Sequence, residues 1–120
     1  MSKYIANKLF NDKISIYVTE CLSTNDFLTN LLKRNKIREG DSVITDYQHK
    51  GRGQRNNNWS SERGSNILFS FLLSPDLIVN NQFYLHVIIS NAIIKSLKKI
   101  NLKGKIKWPN DIYAVSYTHL

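Results

Sequence analysis

Residues 51–59 read GRGQRNNNW: two glycines and two arginines within five positions, then three asparagines and a tryptophan. Gly51 and Gly53 let the backbone approach a ligand with no Cβ in the way. Arg52 and Arg55 can offer forked donors to phosphate or carboxylate oxygens. Together these form a candidate anion clamp. It is not a P-loop, because no Gly-Lys-Ser/Thr ends it, nor a dinucleotide fingerprint, because Asn56 stands where a third glycine would fall. The plainer alternative is a solvated basic loop with Trp59 anchored in the core.

Two other stretches carry comparable chemistry. KWPNDI, residues 107–112, places Asn110 and Asp111 on a rigid turn at a strand end. An amide and a carboxylate so held suit a nucleotide or a hydrated magnesium ion, and the alternative is an Asx-turn that satisfies its own backbone. At 23–25, Ser23, Thr24 and Asn25 cluster two hydroxyls and an amide at a helix start. Capping accounts for one of them, while three adjacent hydrogen-bonding side chains could read a polar head group. Gln48, just before the clamp loop, fits the same idea.

The elements that would position these groups follow from hydrophobic period. KISIYVTE alternates Ile14, Ile16 and Val18 with polar residues, the pattern of a half-buried strand. STNDFLTNLLKRN predicts a helix with Phe27, Leu28, Leu31 and Leu32 on one face and Ser23 or Thr24 as N-cap. REGDSVITDY gives a turn and a second strand, and residues 48–66 a long polar loop, a length often functional in compact domains. NILFSFLLS, apolar on both faces, predicts a central strand ended by Pro75. From Asn80 to about Asn101, Phe83, Val87, Ile94 and Leu97 recur at helical spacing, with Lys95, Lys98 and Lys99 near the end where the helix dipole favours cations. KIKWPNDIY returns to alternation. The order is β-α-β-loop-β-α-β, a mixed α/β domain.

Composition narrows the class. A chain of 120 residues, 42% hydrophobic and 22% charged, is globular in composition. Seventeen Lys and Arg against nine Asp and Glu give a formal charge of +8 and favour anionic partners. One cysteine, Cys21, forms no internal disulfide and reads as a small buried apolar residue, and no Cys/His pattern has metal-ligand spacing. No apolar run reaches the roughly 18 residues of a membrane span, and the start lacks a signal peptide's apolar centre. A cytoplasmic protein without membrane partners is expected.

In this order and spacing STN, DYQHKGRGQRNNNW and KWPNDI resemble the catalytic domain of biotin protein ligases, which share a fold with lipoate ligases and class II aminoacyl-tRNA synthetases. The resemblance runs from about Ile14 to Tyr113. It implies an α/β (α+β, mixed-sheet) domain of the class II synthetase type, incomplete at its C-terminus. It implies two steps: biotin and ATP give biotinoyl-AMP, and a lysine of a biotin carboxyl carrier domain in a biotin-dependent carboxylase then accepts the biotin. Carried over by position, Ser23, Thr24, Asn25 and Gln48 would bind the ureido head group, and Arg52, Gly53 and Gln54 the tail and acyl phosphate. Arg55, Trp59, Lys107, Asn110 and Asp111 would serve ATP, with Arg52 and Lys107 the catalytic cations and Asp111 an indirect contact to magnesium. Core packing is the alternative for Trp59.

The chain departs from the family's usual loop, GRGRxGRxW, at Gln54, Asn56 and Asn57. It departs again after Tyr113, where AVSYTHL replaces a lysine-bearing strand. Residues 1–113 are therefore expected to be the N-terminal part of the catalytic domain. Residues 114–120 are expected to be a tail outside the family's pattern, a truncation or misread end, in which His119 is no ligand, so that this chain alone would be inactive. About a dozen residues precede the first expected strand, too few for a helix-turn-helix, so no repressor role and no nucleic-acid partner are expected. The competing functions are a lipoate–protein ligase, against which the loop argues, and a basic nucleic-acid-binding module supported by the charge and the lysines of KSLKKINLKGKIK.

Overall fold

The computed structural model describes residues 4–8, 10–52, 58–74, 82–107 and 111–116. The chain divides into two compact units, Met1–Ser74 and Pro75–Leu120. In the first, a four-stranded sheet has the order β1 (Ile5–Lys8), β2 (Ile14–Val18), β3 (Ser42–Thr45), β6 (Leu68–Phe71). β1 and β6 run antiparallel to their neighbours, while β2 and β3 are parallel, joined by helix α1 (Thr24–Lys33). The sheet is therefore mixed, as expected, but its first strand is β1: Ile5 pairs with Tyr17 and Lys8 with Ile14 across a tight turn at residues 10–12, where Asn11 takes a positive φ of 58°. IANK carries no clear alternation, which is why the pattern of the sequence passes over it.

Registers put one apolar row behind another. Val18 lies opposite Thr45 and Thr45 opposite Leu68; Ile16 lies opposite Val43 and Val43 opposite Ser70. All six are buried, and α1 covers this face with Leu28 and Leu31, joined by Ile37. Asp41 fixes the edge of this core. Its buried carboxylate accepts the Ile14 N–H (2.9 Å) and the Arg38 N–H (2.8 Å), tying the start of β2 to the turn that feeds β3. Buried carboxylates persist only with such partners.

Two expectations need correcting. NILFSFLLS is not central among the described residues: β6 ends the sheet, and its outward side chains Ile67, Phe69 and Phe71 are exposed while Leu68 and Ser70 are buried. Uniform hydrophobicity hides the alternation, because a strand apolar on both faces has no period to read. Nor is the stretch from 48 to 66 all loop, for β4 (Gly51–Arg52) and β5 (Asn58–Trp59) pair as a short antiparallel ribbon, Gly51 opposite Trp59. Residues 53–57 lie outside the described residues.

In the second unit α2 (Gln82–Lys99) packs on a hairpin of β7 (Leu102–Lys107) and β8 (Asp111–Ser116). Val87, Ile94 and Leu97 are partly buried as their spacing predicts, but Phe83 is 63% exposed. Lys95, Lys98 and Lys99 are exposed. Gly104 permits close approach of the helix, since a Cβ there would lie 2.9 Å from Ile94 Cγ1. β8 runs on beyond Tyr113, with Ala114 opposite Gly104 and Ser116 opposite Leu102. No helix among the described residues is long and apolar enough to cross a membrane.

Period alone assigns Leu31 and Leu32 to one helix face, but their exposures are 1% and 44%. Leu31→Ala is expected to cost about 2–5 kcal/mol of unfolding free energy and Leu32→Ala under about 1 kcal/mol. Denaturant titrations of the two variants check the contrast.

Candidate functional site

The parallel pairing of β2 and β3 does not stop at the strand ends. Cys21 and Gln48 form a further parallel bridge, held by Cys21 N–H to Tyr47 O (3.1 Å), His49 N–H to Cys21 O (2.9 Å) and Lys50 N–H to Leu22 O (2.7 Å). The start of α1 and the residues after β3 therefore meet at the carboxyl ends of two parallel strands, the place where α/β sheets bind ligands. Cys21 is only half-buried rather than a core residue; its packing against the core pushes the thiol pKa up.

Each polar side chain at this junction has a defined partner. Ser23 is the N-cap, its Oγ accepting the Asp26 N–H at 3.0 Å. The Thr24 N–H, one of the donors a helix start leaves without an intrahelical partner, bonds Gln48 Oε1 at 2.8 Å. The Thr24 hydroxyl lies 3.1 Å from the same oxygen and 2.7 Å from Ser70 Oγ. Ser70 in turn donates to Asn25 Oδ1. Ser23, Thr24 and Ser70 are all buried.

These groups line a cavity of about 230 Å³ formed by Ser23, Thr24, Asn25, Gln48, Arg52 and Ser70, walled by Leu68 and Phe69. A second cavity, about 540 Å³, opens beside it and shares Gln48 and Arg52, with Tyr47, Lys50, Gly51 and Ser60 on its lining. Arg52 thus stands at the junction of the two. Its guanidinium pairs with Asp26, and both side chains are about half exposed (51% and 49%). Exposed ion pairs are worth about 0–1 kcal/mol, so Asp26 holds the guanidinium only weakly and leaves it open to solvent.

The returning limb of the loop is pinned at a different point. Arg63 bonds Glu20 at 2.9 Å and lies over the Tyr47 ring, 4.4 Å from its centre, while Gly64 N–H donates to Asp46 O at 3.1 Å. His49 Nε2 stands 3.5 Å from the same Glu20 carboxylate. Arg63 first, then His49, holds the Glu20 carboxyl below its ordinary pKa.

The structure gathers Ser23, Thr24, Asn25, Gln48 and Arg52 at one place, as the sequence suggested. It adds Ser70 and Asp26, which sequence reasoning missed. Ser70 carried a faint signal, being the polar residue between Leu68 and Leu72 in the same phase. Asp26 carried none beyond its place in a helix's first turn. Gly53, Gln54, Arg55 and Asn110 lie outside the described residues, as do the side chains of Trp59, Lys107 and Asp111. The backbones of Lys107 and Asp111 are paired across the hairpin of the second unit. Among the described residues no cluster of three or more His, Cys, Asp or Glu is placed to hold a metal ion.

The model of the biotin/lipoate A/B protein ligase family matches residues 17–117. The chain belongs to that family. The bifunctional ligase/repressor BirA of Salmonella typhimurium is 32% identical over 94 residues, which cover 78% of this chain and 29% of BirA. The chloroplastic biotin–protein ligase 1 of Arabidopsis thaliana is 31% identical over 98 residues, 77% of this chain and 26% of its own. Among solved structures, the biotin protein ligase from Aquifex aeolicus in complex with biotin and ATP matches with a TM-score of 0.69 and 32% identity, over 82% of this chain and 40% of that one. The biotin acetyl coenzyme A carboxylase synthetase from Helicobacter pylori, with bound biotinylated ATP, matches with a TM-score of 0.63 and 25% identity, over 84% and 48%. The fold is thus the mixed α/β fold that biotin protein ligases share with class II aminoacyl-tRNA synthetases. The chain spans under a third of the length of these two curated relatives.

The Glu20 clamp predicts a pH dependence. A carboxylate whose folded pKa is depressed contributes stability above its unfolded pKa and loses it as pH falls through the folded value. The protection factor of the Gly64 amide is expected to fall through that acid window, and to be already low and flat across it in Glu20→Gln. Hydrogen exchange of that amide in the two proteins, compared from neutral to acid pH, provides the check.

Proposed function

We propose that this chain supplies the biotin-binding and activating part of an ATP-dependent biotin protein ligase. The observation that carries this reading is the small cavity lined by the buried hydroxyls of Ser23, Thr24 and Ser70 and by the amides of Asn25 and Gln48, which shares Gln48 and Arg52 with a larger one beside it. Pockets for drug-sized ligands run to about 300–1,000 Å³, so the smaller cavity fits a head group and the larger one the tail and what is attached to it. Ser23, Thr24, Asn25 and Gln48 would take the ureido ring; Arg52, with Gly53 and Gln54, would take the carboxylate end.

A lipoyl head group fits less well. Its dithiolane offers no N–H and no carbonyl, so closing it over Thr24, Gln48 and Ser70 would leave buried polar atoms unpaired. Each such atom costs about 1–3 kcal/mol, and sites built for hydrogen-bonding ligands reject analogues that lack those groups for this reason.

In the first step a biotin carboxylate oxygen would attack the α-phosphorus of ATP, forming the mixed anhydride as the bond to pyrophosphate breaks. In the second, an unprotonated lysine amine of a biotin carboxyl carrier domain would attack the acyl carbon, AMP leaving as the amine gives up a proton. Two anions must be held together, so positioning and charge neutralisation are the enzyme's main tasks. Arg52 and Lys107 would supply cations, with Arg55, Trp59, Asn110 and Asp111 toward ATP. ATP would enter as its magnesium complex, Asp111 contacting the ion indirectly. Dependence on ATP and the lone cysteine favour the cytoplasm. The lysines of the second unit alternate with partly buried residues, which favours a solvated face over a nucleic-acid site.

Pyrophosphate exchange into ATP by the full-length protein is expected with biotin and not with lipoate or octanoate; the reverse preference would overturn the reading. Arg52→Ala is expected to lose about 2–5 kcal/mol of transition-state binding, as removal of a charged partner from a buried anion does. Lys98→Ala, at an exposed site, should stay within about 1 kcal/mol. Equal losses from the two substitutions would place the anion elsewhere.

A further inference from the structure

We infer that Ser70 is a positioning residue that sets the hydrogen-bond polarity of the head-group cavity, making Thr24 an acceptor and Gln48 a donor toward the ligand. This rests on the biotin ligase reading and deepens it. The derivation starts from the one donor whose direction is fixed by covalent structure. The Thr24 backbone N–H can only donate, and it meets Gln48 Oε1 at 2.8 Å. The amide oxygen of Gln48 therefore faces the helix and its NH₂ faces away from it. Gln48 lines the cavity, so what it offers a ligand is a donor.

The hydroxyls are settled next. Ser70 has one hydrogen, which it gives to Asn25 Oδ1, leaving its oxygen as an acceptor. Thr24 also has one hydrogen and two claimants, Ser70 Oγ at 2.7 Å and Gln48 Oε1 at 3.1 Å. The shorter contact sits at the usual length of an O–H···O bond, and Gln48 Oε1 is already occupied by the backbone N–H. The Thr24 hydrogen goes to Ser70. The lone pairs of Thr24 Oγ1 are then what remains for a ligand.

A donor beside an acceptor is the complement of a urea, whose carbonyl lies next to an N–H. Ser70 creates the second half of that complement without providing it. Its place in the sheet supports a role of this kind. It lies opposite Val43 in a buried row whose other members are apolar, and it is the inward position between Leu68 and Leu72. Packing alone would favour an apolar residue there.

The test uses the full-length enzyme, pyrophosphate exchange, and three ligands: biotin and two cyclic-carbamate analogues, each with one ureido N–H replaced by oxygen. The unsubstituted enzyme is expected to disfavour at least one carbamate by about tenfold in KM, the effect of losing one hydrogen bond at an oriented acceptor. In Ser70→Ala the Thr24 hydrogen keeps only the longer contact to Gln48 Oε1, which already accepts the backbone N–H, and can turn toward the ligand. KM for biotin is expected to rise by about fivefold to tenfold with kcat little changed. The discrimination against that carbamate should fall toward unity. Ser70→Thr keeps the hydroxyl and is expected to restore the discrimination, and Thr24→Val to abolish it. If Ser70→Ala folds and discriminates as strongly as the unsubstituted enzyme, Ser70 does not orient Thr24 and the proposal fails. If Ser70→Ala does not fold, Ser70→Thr decides: loss of discrimination there with a native melting temperature also overturns the proposal. Absence of any exchange with biotin in the unsubstituted enzyme would instead overturn the biotin reading itself, and this inference with it.

Discussion

The bond from the Thr24 N–H to Gln48 Oε1 joins everything that makes the site. It links the first residue of α1 to the segment leaving β3, two parts of the chain that are 24 residues apart. It can form only because β2 and β3 are parallel and their pairing runs on through Cys21 and Gln48. A parallel pair requires a crossover, here α1, and the crossover must begin where the first strand ends. The helix start and the second strand's exit are thereby forced to the same edge. The Asp41 carboxylate performs the matching task at the opposite ends of the strands, where it bonds Ile14 and Arg38. The parallel pair is thus tied at both ends, with the cavity at the Thr24 and Gln48 end.

The ligand loop is held on different terms. Its outgoing limb is tied by Arg52 to Asp26 and by the short ribbon of β4 and β5; its returning limb is tied by Arg63 to Glu20. All four charged side chains are roughly half exposed. Water competes for such pairs and salt screens them. On the biotin ligase reading proposed above, weak ion pairs of this kind would cost a bound ligand little to rearrange. Neutral, partly or fully buried hydrogen bonds thus line the small cavity, while the ion pairs at the limbs of the loop are solvent-exposed.

Legibility in the sequence follows the same division. The strand β2, the helix α1 and the cluster Ser23, Thr24, Asn25 and Gln48 were readable because alternation, helical spacing and capping are local patterns. Ser70 was legible only as a polar residue within an apolar run, since its partners come from a register that pairs it with Val43 and from a helix start 46 residues away. That β6 ends the sheet among the described residues was hidden for a related reason: hydrophobicity records that both faces avoid water, not which strands pair. Leu32 was misplaced by period because α1 covers the sheet with a narrow stripe, centred on Leu28 and Leu31. The β1 strand was invisible because all four of its residues are exposed.

The placement of charge explains how one small pocket could serve both selection and chemistry. Inside, Thr24, Gln48 and Ser70 are neutral, and neutral hydrogen bonds discriminate mainly through what happens when they are left unmade. On the reading proposed above, a wrong head group would be penalised there before any reaction begins. Arg52 is half exposed, outside the buried lining but shared by both cavities. A cation buried at the floor would carry a large desolvation cost and would itself attract carboxylates into the head-group pocket, tail first. Shared between the two cavities and half exposed, it would on the proposed reading meet an anionic tail once the head is seated. The orientation of the ligand would then follow from where charge is absent as much as from where it is present.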